Sequence, residues 1–272
     1  MDETLTVDQL QAGSQHLQSR LHGLIYSAHR LCDLRIHIRI ENISAILPLV
    51  HTLFQQDGDP MVARFTAQEL LHSDLLINGE WVGGSQAQRF PVTNPSTGEV
   101  ITQVASASQA DVHTAIAAAQ AALPAWSGLT AVERSRILRK WFDLIVENVD
   151  SLAEILTLEQ GKPLEEARGE ILYGANFIEW FAEEVKRLYG ETIPTNVSSR
   201  RLLTIRQPIG VTAAITPWNF PMAMIARKAG PAIAAGCPMI VKPAAETPLS
   251  ALAIGRLALE AGVHPGVLQV IT

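Results

Sequence analysis

Ala213-Ala214-Ile215-Thr216-Pro217-Trp218-Asn219-Phe220-Pro221 is the stretch from which the chain is best read. An apolar run stops at Pro217 and a second proline closes the segment after Phe220, so the backbone around Asn219 has little freedom. This is a strand delivering a loop. A lone Asn there can simply satisfy a turn. Held at a strand's end, its side-chain amide is also a donor able to stabilise charge developing on a reacting oxygen. Outward from this stretch the chain alternates. Val211 to Ile215, Met239 to Val241 and Val267 to Ile271 read as strands; Met222 to Ala235 and Leu249 to Ala261 read as helices, the second stopped by Gly262. The alternation predicts an α/β fold with a parallel sheet and crossover helices, the first half (βαβαβ) of a Rossmann-like nucleotide-binding sheet. No Gly-x-Gly-x-x-Gly accompanies it, so these residues alone do not specify a dinucleotide.

Upstream lies a mixed helical and β scaffold. Leu75 to Val82 and Arg89 to Asn94 read as short strands around Gly83-Gly84, followed by a Pro95-Ser96-Thr97-Gly98 turn. Asp111 to Ala122 is an Ala-rich helix. Thr130 with Glu133 forms a capping box for a helix whose inward face carries Ile137, Leu138, Trp141, Phe142, Ile145 and Val146. Ser151 to Gln160 continues as helix and Gly161 stops it. Pro163 starts the next, which is expected to run to about Tyr189 with Ile171, Ile178, Phe181, Val185 and Leu188 inward. Trp141, Trp180 and the nearby phenylalanines are expected in the core. Arg201 to Arg206 is a strand candidate.

Composition narrows the partners. With 272 residues, 47% hydrophobic and 18% charged, the chain can bury one sizeable core or two smaller ones. A net charge of -6 offers no basic face for nucleic acid or anionic membrane, and neither partner is expected. The acidic start at Asp2 and Glu3 is wrong for a secretory signal, and no apolar run is long enough to cross a bilayer. Cys32 and Cys237 lie far apart without metal or disulfide spacing, which fits a reducing compartment, and the expected localisation is cytoplasmic.

Residues 1 to 60 differ in character. Leu34, Ile36, Ile38 and Ile40 alternate with Arg35, His37 and Arg39 in strand period inside an Arg- and His-rich stretch whose only acid is Asp33. The acidic start argues against a transit peptide, and His16, His22, His29 and His37 lack the spacing of a metal site. No metal is expected. Met61-Val62-Ala63-Arg64 reads as a natural start, with residues 1 to 60 an upstream extension.

The segments Leu76-Ile77-Asn78-Gly79-Glu80-Trp81, Leu158-Glu159-Gln160-Gly161-Lys162-Pro163-Leu164, Ala226-Arg227-Lys228-Ala229-Gly230-Pro231 and Val241-Lys242-Pro243-Ala244, together with the opening stretch, resemble the aldehyde dehydrogenase superfamily. The likeness is strongest to its NAD(P)-dependent succinate-semialdehyde dehydrogenases and runs from about residue 75 to 272. It implies oxidation of succinate semialdehyde or a similar aldehyde to the carboxylate, with NADP or NAD as acceptor. It divides the chain into an extension (1–60), an N-terminal scaffold part (61–207) and the first half of the NAD(P)-binding domain (208–272). It implies that Ile215, Thr216, Pro217, Trp218 and Asn219 line the cofactor cleft, with Lys242, Pro243, Ala244 and Ala245 opposite and Lys242 bonding the adenosine ribose. Asn219 matches the oxyanion-hole asparagine, and Arg227 an arginine that binds the substrate's distal carboxylate. NAD-selective relatives commonly carry Glu where this chain has Ala245, so NADP is expected to be tolerated or preferred, with Glu246 able to replace part of that charge.

The resemblance also marks departures. The family's Gly-Ser turn, the Glu-Leu-Gly-Gly segment with the general base and the Gly-Gln-x-Cys segment with the nucleophile are not in this sequence. Cys237 matches a buried packing cysteine instead. The 272-residue chain is therefore expected to be inactive alone. Its last strand is expected to leave an unpaired edge and exposed apolar surface, hence aggregation or dependence on a partner. The intact family forms homo-oligomers, while a non-catalytic, partner-dependent module is the alternative reading of this chain.

Overall fold

A computed structural model describes residues 63–272. The expectations placed on residues 1 to 60, on Met61 as a start, on Cys32 and on the four histidines lie outside the described residues.

The first elements are local. Thr66 caps α1 (Ala67–Leu70) through a capping box with Glu69. β1 (Leu75–Ile77) and β2 (Glu80–Val82) then form a hairpin whose turn is Asn78-Gly79, both residues at positive φ. Asn-Gly is the pair that tolerates this turn best. Leu75 to Val82 is therefore a complete hairpin in itself, not one strand turning at Gly83-Gly84. β3 (Arg89–Thr93) pairs instead with β4 (Val100–Ala105), a strand absent from the expectations above although its Val and Ile content supports one.

Four helices follow. α2 (Gln109–Ser127) is longer than read at both ends, because Ser108 and Asp111 form a capping box and Pro124 is accommodated near its C-terminus. α3 (Ala131–Glu147) starts at the Thr130–Glu133 box as expected and buries Leu138, Trp141, Leu144 and Ile145. α4 (Val149–Gln160) ends at Gly161, whose φ of 81° is the left-handed conformation that favours glycine. α5 (Leu164–Glu184) ends sooner than Tyr189, passing into a 3-10 turn at Val185–Arg187. Leu188 is consequently exposed rather than inward. Trp180 is also exposed, at 64%, against the expectation of a core position. The buried stripe of α5 passes through Ile171, Ala175, Ile178 and Ala182, and Trp180, about 200° from Ile178, falls on the other face. β5 (Glu191–Ile193) and β6 (Leu202–Thr204) form a separate, exposed ribbon; only β6 matches an expected strand.

The C-terminal alternation appears as read. β7 (Thr212–Ile215), α6 (Ala223–Ala234), β8 (Met239–Lys242), α7 (Leu249–Ala261) and β9 (Leu268–Val270) follow in order, with β7–β8 and β8–β9 parallel. The sheet order is β2-β1-β9-β8-β7, with β1 antiparallel to β9. This corrects the expected open edge. The last strand is interior, covered by the N-terminal hairpin, and Gln269 fastens the two by accepting from Asn78 N at 2.6 Å. Among the described residues, β7 at the parallel end and β2 at the other end have no second neighbour.

Indole N–H groups tie the scaffold helices to the sheet's helices. Trp126 donates to Ile233 O at 2.9 Å and Trp141 to Ile254 O at 3.1 Å, both buried. Each satisfies a polar handle while burying a large ring, which stabilises by roughly 1.5–3 kcal/mol per large side chain. Among the described residues, no single helix is long and apolar enough to cross a membrane.

Candidate functional site

The C-terminal ends of β7 and β8 lie side by side, with Ile215 opposite Lys242 and Thr216 N donating to Lys242 O at 3.1 Å. This brings the two halves of the expected cofactor cleft together. Past Thr216 the chain leaves the sheet: Pro217, Trp218, Asn219 and Phe220 are exposed, and Pro221 and Met222 return to the core at the start of α6. Asn219 therefore sits at the crest of a short loop. Arg227 follows in the second turn of α6, exposed, with its guanidinium carbon 5.4 Å from the centre of the Phe177 ring. Among the described residues it makes no ion pair. It is a positioned cation with an open face.

The loop is held from α5 and from the elbow before it. Glu170, 3% exposed, accepts with one oxygen from Met222 N at 3.1 Å and Ala223 N at 3.3 Å, the first amides of α6. Its other oxygen pairs with Lys162 Nζ at 2.6 Å. The same ammonium donates to Asn219 O at 3.2 Å and lies 4.0 Å from the centre of the Phe220 ring. The two prolines are thus only part of what restrains Asn219. Sequence reading quoted Lys162 inside a motif and gave it no role; its place between Gly161 and Pro163, in a break between helices, was the available signal.

On the cofactor side, Lys242 ends β8 half-buried, with Nζ donating to Pro243 O at 2.8 Å. Burial pushes its pKa down, opposed by the nearby Glu246 charge. It makes no ion pair among the described residues, and an ammonium so placed retains donors for ribose hydroxyls. Pro243 is buried, while Ala245 and Glu246 are exposed beyond the strand end. Thr216 Oγ1 is buried and has no hydrogen-bond partner among the described residues. These groups fit the ribose end of a dinucleotide. The helix N-termini that could receive its pyrophosphate do not, because both are taken by carboxylates. Glu170 covers α6, and Glu159 covers α7 by accepting from Leu249 N at 2.6 Å and Ser250 N at 2.8 Å. Burial pushes the Glu159 pKa up to about 7, against the pull of these hydrogen bonds.

Cys237 is 4% exposed and sits at the start of β8's approach, as expected of a packing residue. No group of His, Cys, Asp and Glu able to hold a metal occurs among the described residues. The arrangement can therefore donate a hydrogen bond to a developing oxyanion, pair with an anionic substrate group and bond a sugar hydroxyl.

Residues 81–272 match the model of the "Aldehyde dehydrogenase family". Over 204 residues the chain is 60% identical to a glutarate-semialdehyde dehydrogenase of Pseudomonas putida, covering 75% of this chain and 42% of that protein. It is 58% identical over 203 residues to the succinate-semialdehyde dehydrogenase [NADP(+)] of Escherichia coli, with the same two coverages, 75% and 42%. A crystal structure of an aldehyde dehydrogenase from Brucella melitensis biovar abortus superposes with a TM-score of 0.74 at 60% identity, over 75% of this chain and 42% of that one. The chain thus spans less than half the length of the relatives it matches.

Proposed function

The chain belongs to the aldehyde dehydrogenase family, and from that premise we propose that it supplies part of an NAD(P)-dependent enzyme oxidising succinate semialdehyde or a related ω-carboxy aldehyde to the carboxylate. The observation that carries this reading is the single loop-and-helix unit bearing Asn219 and Arg227, both exposed, beside the strand ends that carry Lys242. In this reading Asn219 donates its amide N–H to the oxyanion formed when a thiolate attacks the aldehyde. Arg227 pairs with the carboxylate at the substrate's far end, a task suited to a guanidinium fork. Ile215, Thr216, Pro217 and Trp218 line the cofactor cleft, opposite Lys242, Pro243, Ala244 and Ala245, with Lys242 bonding the ribose. The cofactor, when bound, accepts the hydride. Ala245 leaves room and charge balance for a 2′-phosphate, which favours NADP over NAD.

The thiolate and the general-base carboxylate come, in this proposal, from outside residues 63–272, since Cys237 is buried. Residues 61–207 act as scaffold and 208–272 as the first half of the cofactor domain. The enzyme works in the cytoplasm as a homo-oligomer. A non-catalytic, partner-dependent module is the second reading, and the open edge of β7 favours it.

A chimera separates the two. Residues 75–272 replace the matching part of the Pseudomonas putida relative, and aldehyde-dependent NADPH formation is measured. The dehydrogenase reading requires turnover, and Asn219→Ala in that chimera should lower kcat by about 10²–10³-fold. A folded chimera without turnover, or an Asn219→Ala variant at full rate, would leave the partner-dependent module as the better account.

A further inference from the structure

We infer that Lys162, locked by Glu170, is a positioning residue for Asn219: its ammonium fixes the carbonyl of the loop whose side chain serves as oxyanion donor. The inference rests on the dehydrogenase reading for the word oxyanion, but the positioning itself stands on geometry alone. Lys162 is the middle residue of Gly161-Lys162-Pro163, the break between α4 and α5. Gly161 is held in its left-handed turn, and a Cβ there would come within 2.8 Å of Pro95 Cγ. Pro163 has a fixed φ and no N–H to offer. The elbow therefore aims the Lys162 side chain, which is only 11% exposed.

What it meets is a buried anion with two duties. Glu170 lies on α5, its side chain 1% exposed, and one oxygen is committed to the Met222 and Ala223 amides. The other faces Lys162 Nζ at 2.6 Å. An ammonium has three donors, and the second here goes to Asn219 O at 3.2 Å, while the Phe220 ring stacks beneath at 4.0 Å. The loop is consequently gripped at two points by one ion pair: at its crest through Lys162 and at its return through Glu170. An exposed surface pair would contribute little. This one is almost fully shielded, so losing Lys162 leaves a buried charge uncompensated and the Asn219 carbonyl without this donor. Among the described residues, the side-chain amide of Asn219 makes no hydrogen bond that would hold it otherwise. Its aim follows from its backbone.

Hydrogen exchange of the full 272-residue chain tests this without requiring turnover. Lys162→Met strands the Glu170 carboxylate, so the decisive variant is the double Lys162→Met/Glu170→Gln, which leaves no buried charge and keeps an amide oxygen facing Met222 and Ala223. Its Met224 amide, which donates to Phe220 O at 3.0 Å beside the freed Asn219 carbonyl, should exchange roughly tenfold faster, while those of Met222, Ala223, β8 and α3 keep their rates. Lys162→Arg, which retains a donor and a charge, should restore protection to within about twofold. Wild-type exchange across residues 218–224 in the double variant, or no rescue by arginine, overturns the inference. An inactive chimera with the exchange result intact would instead indict the dehydrogenase reading and leave the positioning in place.

Discussion

Arg227 and Phe177 show how an exposed cation can be kept ready. A free guanidinium on a helix surface samples many rotamers; one stacked over an aromatic face has fewer to lose when it meets a carboxylate. In the active chimera, Arg227→Ala should raise KM for succinate semialdehyde by about 10–100-fold, the worth of one charge-assisted pair. Aldehydes without a distal carboxylate should be processed as before. Steady-state kinetics on both substrate classes reads the difference, and an equal loss on both would remove Arg227 from substrate recognition. Asn219 and Arg227 could be named as candidates from the sequence because their cues are local: prolines bracket the first, and the motif carries the second. The grip on Asn219 was not. Lys162 lies 57 residues earlier in the chain, and nothing in a linear pattern tells which carbonyl an elbow lysine will reach.

The two helices beside the sheet begin without caps of their own. α3 announces its start through Thr130 and Glu133, three residues apart, and that start was readable. α6 and α7 begin after Met222 and Pro248, which offer no side-chain acceptor, and their first amides are satisfied by Glu170 and Glu159 from α5 and α4. Caps borrowed across 52 and 90 residues leave no local signature. They also couple the scaffold helices to the sheet through buried carboxylates, and one of these titrates in a useful range. With the Glu159 pKa raised to about 7, the folded state binds a proton that the unfolded chain has released above its ordinary value of 4.5. Stability from this group is therefore full below about pH 4.5 and is lost as pH rises through about 7. Thermal melts between pH 5 and 8 should show a downward slope in the parent chain. Glu159→Gln should flatten that component, and an unchanged slope would assign it elsewhere.

For the molecule as a whole, the parallel succession of β7, β8 and β9 was readable because strand and helix alternate with clear stops. The sheet's order was not, because it depends on where the first hairpin docks. The open edge of the parallel strands consequently belongs to β7, while β2 ends the other side. Thr212 N and Thr216 N point to β8, so the intervening Ala213 and Ile215 turn their backbone groups outward, and Ile215 is 83% exposed. Such an edge templates pairing with another chain. The 272-residue protein should self-associate in a concentration-dependent way, and Ala213→Lys on that edge should shift it toward the smaller species in sedimentation velocity. A mutant distribution identical to the parent would place the contact on another surface.

The pairing of the first hairpin with the last strand also sets a timetable. Asn78 and Gln269, which fasten β1 to β9, are 191 residues apart. At synthesis rates of about 5–20 residues per second, the hairpin waits roughly 10–40 s before its neighbour has even been made. During that interval Leu75, Leu76 and Ile77, all buried in the finished sheet, have no sheet to enter. The order of translation thus runs against the order of assembly, and the nascent chain must carry an unsatisfied apolar strand until β9 has been made.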